Sequence, residues 1–190
     1  MSLPAHLLDS IASAAVHEGL ADAVYTRLET PIGTLLIVQG ERGVVRVGFP
    51  EEPVDELLAQ VAARLGPRIV ASDRELGGTR DAFSAYFEGL DERLELPVDL
   101  ALVQTGFRRD ALTLLRAEVG PGQVVTYGAL AAKAGRPRAA RAVGNACAKN
   151  PVPIIVPCHR VLPGSGGVGS YAGGPARKRR LLAHEGATVG

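Results

Sequence analysis

The best candidate for chemistry in this chain is a cysteine followed at once by two nitrogen-bearing side chains, in the segment Pro-Cys-His-Arg-Val at residues 157–161. The thiolate is the nucleophilic form of cysteine, and nearby cations favour it. Three prolines at residues 150–157 predict a rigid, extended segment, because proline fixes its own φ and keeps its predecessor out of the helical region. A buried structural cysteine is the competing interpretation. A buried structural cysteine needs neither a rigid segment nor two adjacent nitrogen-bearing side chains, so we interpret Cys158 as a nucleophile.

The residues before this cysteine have helical patterns that could position it. Residues 107–119 are periodic and end at the Gly-Pro-Gly of residues 120–122. Two short helices follow, at 127–134 and 138–149, and this layout is typical of a helix-turn-helix, although an ordinary helical hairpin gives the same pattern. The second helix is rich in alanine. It is therefore poorly equipped to read base edges in a wide major groove and better suited to a narrow groove.

The first half of the chain has a different character. Residues 24–49 hold three runs of β-forming residues separated by turn residues, which predicts an antiparallel meander. Helices are predicted at 53–65 and 79–87, and one amphipathic helix within an N-terminal extension at 1–23. The carboxylates of this half are scattered, so no group of residues there predicts a reaction or a metal site.

Composition and length indicate a soluble globular protein of one or two domains. The chain has 190 residues, of which 46% are hydrophobic and 22% charged. No apolar run approaches the roughly 20 residues that cross a bilayer, and the N-terminus lacks the pattern of a secretory signal. Two cysteines, Cys147 and Cys158, cannot build a disulfide framework. We therefore predict a cytoplasmic protein without membrane association.

The small net charge of +1 hides an asymmetry between the halves. Residues 1–100 hold 8 Lys and Arg against 17 Asp and Glu, a net charge of −9. Residues 101–190 hold 13 against 3, a net charge of +10. Such a difference predicts a polyanionic partner for the second half, although mutual neutralisation of the halves would give the same numbers.

The motif around Cys158 also identifies a family. Together with the Asn-Pro at 150–151 and the Leu-Leu-Ala-His-Glu-Gly at 181–186, it resembles the active-site region of the O6-alkylguanine–DNA alkyltransferases. The resemblance implies an α+β fold. A small N-terminal antiparallel-sheet α/β domain, ribonuclease H-like, at 24–104 would precede a mainly helical, winged-helix-like catalytic domain at 105–190.

What the resemblance implies about function is DNA repair by direct reversal. The alkyl group of O6-alkylguanine, and of O4-alkylthymine as an open possibility, would move irreversibly to Cys158 after minor-groove binding and base flipping. Each protein would act once, as a methylated-DNA–protein-cysteine methyltransferase. The expected partner is double-stranded DNA, with no cofactor and no metal. We expect a monomer in solution and leave cooperative binding on DNA open.

The resemblance also carries catalytic roles onto matching residues. Cys158 would accept the alkyl group, and His159 and Glu185 would form a proton relay with a bridging water. Asn150 would brace the active-site segment. Tyr127 would donate a hydrogen bond to a ring nitrogen of the base.

Contacts with the substrate or DNA are implied for six further residues. Arg141 would fill the space left by the extruded base, and Val161 and Ala172 would offer backbone groups. Tyr171 would provide a packing surface, and the cations Arg160 and Lys178 would add contacts. The family often has serine where this chain has Ala172, so substrate range depends on whether the hydroxyl is used.

Three other functions fit parts of the same evidence. A lesion-binding module without transfer would lack the nucleophile, which Cys158 supplies here. A Cys–His hydrolase would need a separate, oriented base, and a transcriptional regulator would bind DNA with sequence preference. We interpret Cys147, in the alanine-rich helix, as a small buried residue.

Overall fold

The computed structural model describes residues 5–188, except for the side chains of residues 5, 6 and 8. The chain divides into two compact units. The first contains residues up to 88 together with 95–102, and the second contains residues 89–94 and those from 103 onward. No helix among the described residues is long and apolar enough to cross a membrane.

The first unit is a four-stranded sheet with three helices. The strands lie in the order β3-β2-β1-β4, with β1 antiparallel to β2 and β2 antiparallel to β3 as predicted. The fourth strand pairs in parallel with β1 and was not predicted. At three residues it is too short to show the alternation that identifies strands. The elements are α1 (Ala5–His17), β1 (Ala23–Leu28), β2 (Leu35–Gly40), β3 (Gly43–Gly48), α2 (Val54–Leu65), β4 (Ile69–Ala71) and α3 (Gly77–Phe87).

The core of this unit lies between the sheet and α2. Leu57 and Val61 sit four residues apart on one face of α2 and pack against Leu36, Val38 and Val45 of the sheet. Residues at that spacing share one face of a helix, which explains why the amphipathic pattern predicted α2 to within one residue.

The predicted helix within residues 1–23 is α1, and residues 1–4 lie outside the described part of the chain. Two hydrogen bonds attach it to the rest of the first unit. The Ser72 hydroxyl donates to Asp9 at 2.6 Å, and the Ser13 hydroxyl donates to Glu75 at 2.6 Å.

The second unit is mainly helical. A two-stranded parallel sheet pairs Val125 with Val161 and so joins the start of α5 to the end of the cysteine-bearing segment. The Thr126 hydroxyl caps α5 by accepting from the Ala129 amide. Leu112 is buried in α4. The elements are α4 (Phe107–Glu118), β5 (Val125–Thr126), α5 (Tyr127–Lys133), α6 (Ala140–Ala148), a 3-10 turn (Cys158–Arg160), β6 (Val161–Leu162) and α7 (Gly174–His184).

Candidate active site

Cys158 lies at the start of the 3-10 turn in the second unit. The amide of Arg160 donates to the carbonyl of Pro157 at 2.9 Å, which closes the turn. Successive side chains of an extended chain would point to opposite faces. The turn replaces that extended geometry, and both residues are buried, with Cys158 2% and His159 0% exposed.

The segment that carries Cys158 is rigid but not extended, so that prediction was wrong. The amide of Val156 donates to the carbonyl of Val152 at 2.9 Å, which folds residues 152–156 into a tight turn. Ile154 has a φ of 76°, the left-handed region that a β-branched residue rarely enters. The prolines restrict the chain as expected, but they do so around a turn that hydrogen bonds hold.

The side chain of Asn150 adds two hydrogen bonds to this turn and also reaches the thiol. Its Oδ1 accepts from the Val152 amide at 3.0 Å, and its Nδ2 donates to the Val156 carbonyl at 2.8 Å. The same Nδ2 lies 3.2 Å from Sγ of Cys158 and donates to it. Asn150 therefore holds the segment in the way the sequence suggested and adds a donor that stabilises negative charge on sulfur.

Behind the thiol lies a buried group of charged side chains. Nε2 of His159 is 3.0 Å from Oε1 of Glu185. The Arg160 guanidinium donates to both oxygens of that carboxylate, with Nε and Nη2 each at 2.8 Å, and also to the Val119 carbonyl. Burial raises the pKa of Glu185, but the hydrogen bonds from Arg160 and His159 outweigh it and lower the pKa to about 2. Glu185 is thus a carboxylate at any physiological pH.

This arrangement determines which nitrogen of His159 can accept a proton. Burial lowers the pKa of His159 below its usual value, although Glu185 opposes that shift, so the ring is neutral near pH 7. A carboxylate only accepts hydrogen bonds, so Nε2 carries the hydrogen and Nδ1 keeps its lone pair. Nδ1 is buried without a hydrogen-bond partner among the described residues. Nδ1 is therefore the nitrogen that can accept a proton, and the contact with Glu185 fixes the orientation of the ring.

The thiol itself is protonated at rest. Burial raises the pKa of Cys158 to about 11, although the hydrogen bond from Asn150 and the charge of Lys178 oppose the rise. An unaided thiol of this kind would be almost wholly unreactive at pH 7 because the thiolate is the nucleophile. Any reaction at Cys158 therefore requires a base.

A small cleft opens beside the sulfur. Its volume is about 140 Å³, and the Tyr171 ring that borders it meets the His159 ring edge-on, with centroids 6.3 Å apart. The cleft is lined by Tyr127, Gly144, Cys147, Ala148, Cys158, Ser170, Tyr171 and Ala172. Among the described residues, no cluster of three metal-ligating side chains is found.

Part of the predicted site lies around this cleft. Cys158, Tyr127, Tyr171 and Ala172 line it directly. Asn150 donates to Sγ of Cys158, and the ring of His159, which binds Glu185, meets the ring of Tyr171. Arg141 lies apart from it, exposed near the start of α6.

Two cationic residues that were predicted to contact substrate or DNA are buried instead. Arg160 is buried against Glu185, and Lys178 is fully buried, with Nζ donating to the Val161 carbonyl at 2.7 Å and the Ser170 carbonyl at 3.2 Å. Direct contact with DNA is incompatible with this burial, and both side chains support the site from behind.

Four residues that line the cleft were not predicted to do so. Gly144, Cys147 and Ala148 face it from α6, and Ser170 faces it from the loop before α7. Residues three and four apart share a helix face, so the spacing of the first three is the signal that could have found them. The burial predicted for Cys147 is confirmed, but its side chain also borders the cleft.

Comparison with known proteins places this site in a family. The model described as "6-O-methylguanine DNA methyltransferase, ribonuclease-like domain" matches residues 23–100. The model described as "6-O-methylguanine DNA methyltransferase, DNA binding domain" matches residues 106–187. The second match contains the whole of the site described above.

Similar proteins extend over both halves. The human methylated-DNA–protein-cysteine methyltransferase is 39% identical over 174 residues, which cover 87% of this chain and 81% of the relative. Its counterpart in Salmonella typhimurium is 40% identical and covers 84% of this chain and 94% of the relative. The crystal structure of Mycobacterium tuberculosis OGT in complex with DNA superposes with a TM-score of 0.74 at 32% identity, covering 86% of this chain and 93% of that one. The chain therefore belongs to the 6-O-methylguanine DNA methyltransferase family.

Proposed function

We propose that this protein repairs DNA by moving the alkyl group of O6-alkylguanine onto Sγ of Cys158. The observation that carries the proposal is a thiol on the wall of a cleft, with a neutral histidine behind it whose second nitrogen is bound to a buried carboxylate. A thiol with a pKa of about 11 needs that base, and a base directed by Glu185 has little purpose without the thiol.

The reaction exchanges two bonds. The S–H bond and the bond from O6 to the alkyl carbon break, the S–C bond forms, and the guanine leaves with a proton as the normal base. His159 takes the thiol proton at Nδ1 through a bridging water, and Glu185 stabilises the imidazolium that forms. Lys178 and the Asn150 amide group stabilise the developing thiolate. Tyr127, on the cleft wall, donates to a ring nitrogen of the leaving base.

The product explains why each molecule acts once. A thioether is neither easily hydrolysed nor a good leaving group, so the alkylated protein has no simple route back. The acceptor must also stay reduced before use, which favours a reducing compartment such as the cytoplasm.

Binding to double-stranded DNA is assigned to α5, α6 and the turn between them, as a helix-turn-helix. The second half carries a net charge of +10, which suits a phosphate backbone. Arg141 is exposed on α6 among small side chains that let the helix approach a narrow groove closely. The target base leaves the stack to reach the cleft, at a cost of a few kcal/mol that is lowest for a damaged pair.

The test is to mix the protein with an excess of duplex containing one O6-methylguanine and measure the intact mass. We expect one methyl group per molecule, mapped to the peptide that contains Cys158, and none with undamaged duplex. Cys158→Ser is expected to gain nothing. Binding without a mass change would favour a lesion-binding module, and repeated turnover would exclude a suicide mechanism. A duplex with O4-methylthymine tests the wider substrate range.

Base extrusion has its own test in Arg141→Ala. Because Arg141 is assigned to the space that the base leaves, its loss should slow transfer from duplex by about tenfold. Transfer from the free modified base, which needs no extrusion, should keep its rate. Equal slowing with both substrates would place Arg141 in the chemical step or in folding instead.

A further inference from the structure

The second cysteine of the chain borders the same cleft as the proposed acceptor. Cys147 faces it from the last turn of α6, and Cys158 faces it from the 3-10 turn. The cleft has a volume of about 140 Å³. Both sulfur-bearing side chains therefore border one small space.

One residue bridges the two cysteines. The amide of Asn150 donates to the Cys147 carbonyl at 3.3 Å, while its Nδ2 donates to Sγ of Cys158 at 3.2 Å. Each thiol also raises the pKa of a common neighbour, Tyr127, and negative charge on Cys158 raises the pKa of Cys147. Both cysteines therefore contact Asn150, and negative charge on Cys158 acts directly on the thiol of Cys147.

The surroundings give the two thiols different reactivity. The charge of Lys178 lowers the pKa of both thiols, but only Cys158 has the Asn150 amide donor, although burial dominates in each case. Burial raises the pKa of Cys147 further, so Cys147 is the weaker nucleophile toward an oxidant in solution. Because burial keeps the Cys158 thiol protonated, its attack on an oxidant depends on a base, and Cys147 is the second thiol beside it in the cleft.

We propose that Cys147 is the resolving partner of Cys158, and that peroxides convert the pair reversibly into an intramolecular disulfide. The thiolate of Cys158 attacks the peroxide O–O bond, which yields a sulfenic acid and releases water or an alcohol. The Cys147 sulfur then attacks the sulfenic sulfur, the S–S bond forms, and the oxygen leaves as water. The two thiols together lose two electrons and two protons to the peroxide.

The disulfide would protect an acceptor that can be used only once. Without a resolving thiol, the sulfenic acid proceeds to sulfinic and sulfonic acids, which thiols do not reduce. With Cys147 present, small thiols such as glutathione return Cys158 to the reduced form. The benefit rests on the proposed function, but the formation of the disulfide does not.

The test treats the reduced full-length protein with hydrogen peroxide, blocks free thiols, and maps peptides without reduction. We expect a cross-linked peptide pair containing Cys147 and Cys158, a monomer on a non-reducing gel, and a mass lower by two hydrogens. Methyl transfer should fall as the cross-link accumulates and return to more than about four-fifths of its starting value after dithiothreitol. Prior methylation of Cys158 should prevent the cross-link.

Cys147→Ser is the matched variant, with each sample compared with its own activity before oxidation. We expect oxygen additions on Cys158 and at least a fivefold smaller recovery after dithiothreitol than in the wild type. Equal recovery in both proteins, oxygen additions on wild-type Cys158 beside a free Cys147, or an intermolecular dimer would each overturn the proposal. Because the cross-link is detected by mass, its absence beside normal methyl transfer would reject the disulfide alone.

Discussion

The two units of this molecule keep their ion pairs in different surroundings. In the first unit, Arg68 binds Asp22 with side chains 54% and 12% exposed. In the second unit, Arg160 binds Glu185 with side chains only 9% and 2% exposed. The geometry is alike, since each guanidinium reaches both oxygens of its carboxylate, and the difference lies in solvent access.

Solvent access therefore distinguishes an ion pair that only supports the fold from buried charged groups that can take part in chemistry. An exposed pair contributes about 0–1 kcal/mol and costs little to build. A buried pair must repay the loss of hydration and is often no better for stability than an apolar replacement. The second unit nevertheless buries His159, Arg160, Glu185 and Lys178 around one thiol. The pKa values of His159, Lys178 and Glu185 are all lowered, and perturbed groups near a cleft-lining thiol indicate a functional site.

The largest effect on the second unit is expected from Glu185→Gln. It leaves the buried guanidinium of Arg160 without its counter-ion, which should lower the free energy of unfolding by about 3–5 kcal/mol. It also removes the negative charge that stabilises the imidazolium, and an amide can present either its oxygen or its NH2 group to His159, so methyl transfer should slow by about a hundredfold or more. Urea unfolding and single-turnover assays measure the two changes, and an unaltered rate would remove Glu185 from the relay.

The same variant has a defined pH dependence. The pKa of Glu185 is lowered from 4.5 to about 2 in the folded protein, so its contribution is complete above pH 4.5 and is lost as the pH falls toward 2. The stability gap between wild type and Glu185→Gln should therefore narrow across that window. A gap that stays constant would mean that the carboxylate charge is not what stabilises the fold.

A smaller effect is expected from Lys178→Met. The change leaves the buried carbonyl of Val161 without its donor, at about 1–3 kcal/mol, whereas Ser170 is exposed and its carbonyl can be hydrated. It also removes a charge that lowers the pKa of Cys158, so reaction with a small alkylating reagent should slow at pH 8. Arg179→Met is the matched control, because it removes an exposed charge from the same helix. Equal slowing in both would show that only the overall charge matters.

The smallest effect is expected from Asp22→Asn in the first unit. The Arg68 guanidinium that it leaves behind is about half exposed and can be hydrated. Methyl transfer should be unchanged, and the loss of stability should be smaller than in Glu185→Gln under the same conditions. A loss as large as in the buried pair would break the distinction between the units.

The sequence predicted the residues whose role is local more successfully than those placed by tertiary structure. The link from His159 to Glu185 and the bracing by Asn150 followed from motif and resemblance, and the hydrogen bonds are present. The amphipathic helices and antiparallel strands followed from periodicity. These features depend on a few neighbouring residues or on a strong pattern.

Burial of charge and backbone turns were less predictable. Nothing in the pattern around Lys178 indicates that its amine ends between two carbonyl groups, since a lysine on a basic helix is usually solvated. The left-handed conformation of Ile154 contradicts its local preference and exists only because the surrounding hydrogen bonds determine the turn. The third case is β4, which forms three residues of strand beside β1. Each is decided by contacts that are distant in sequence.

The central claim is that His159 activates a thiol which is otherwise protonated, and the pH dependence of methyl transfer tests it most directly. Single-turnover rates of the wild type and His159→Gln should be measured between about pH 7 and 9. With His159 already neutral, the wild-type rate should be nearly constant. Without the base, the rate should be far lower at pH 7 and rise about tenfold per pH unit, following the thiolate of a group with a pKa of about 11. A wild-type rate that climbs as steeply as that of the variant would contradict the claim.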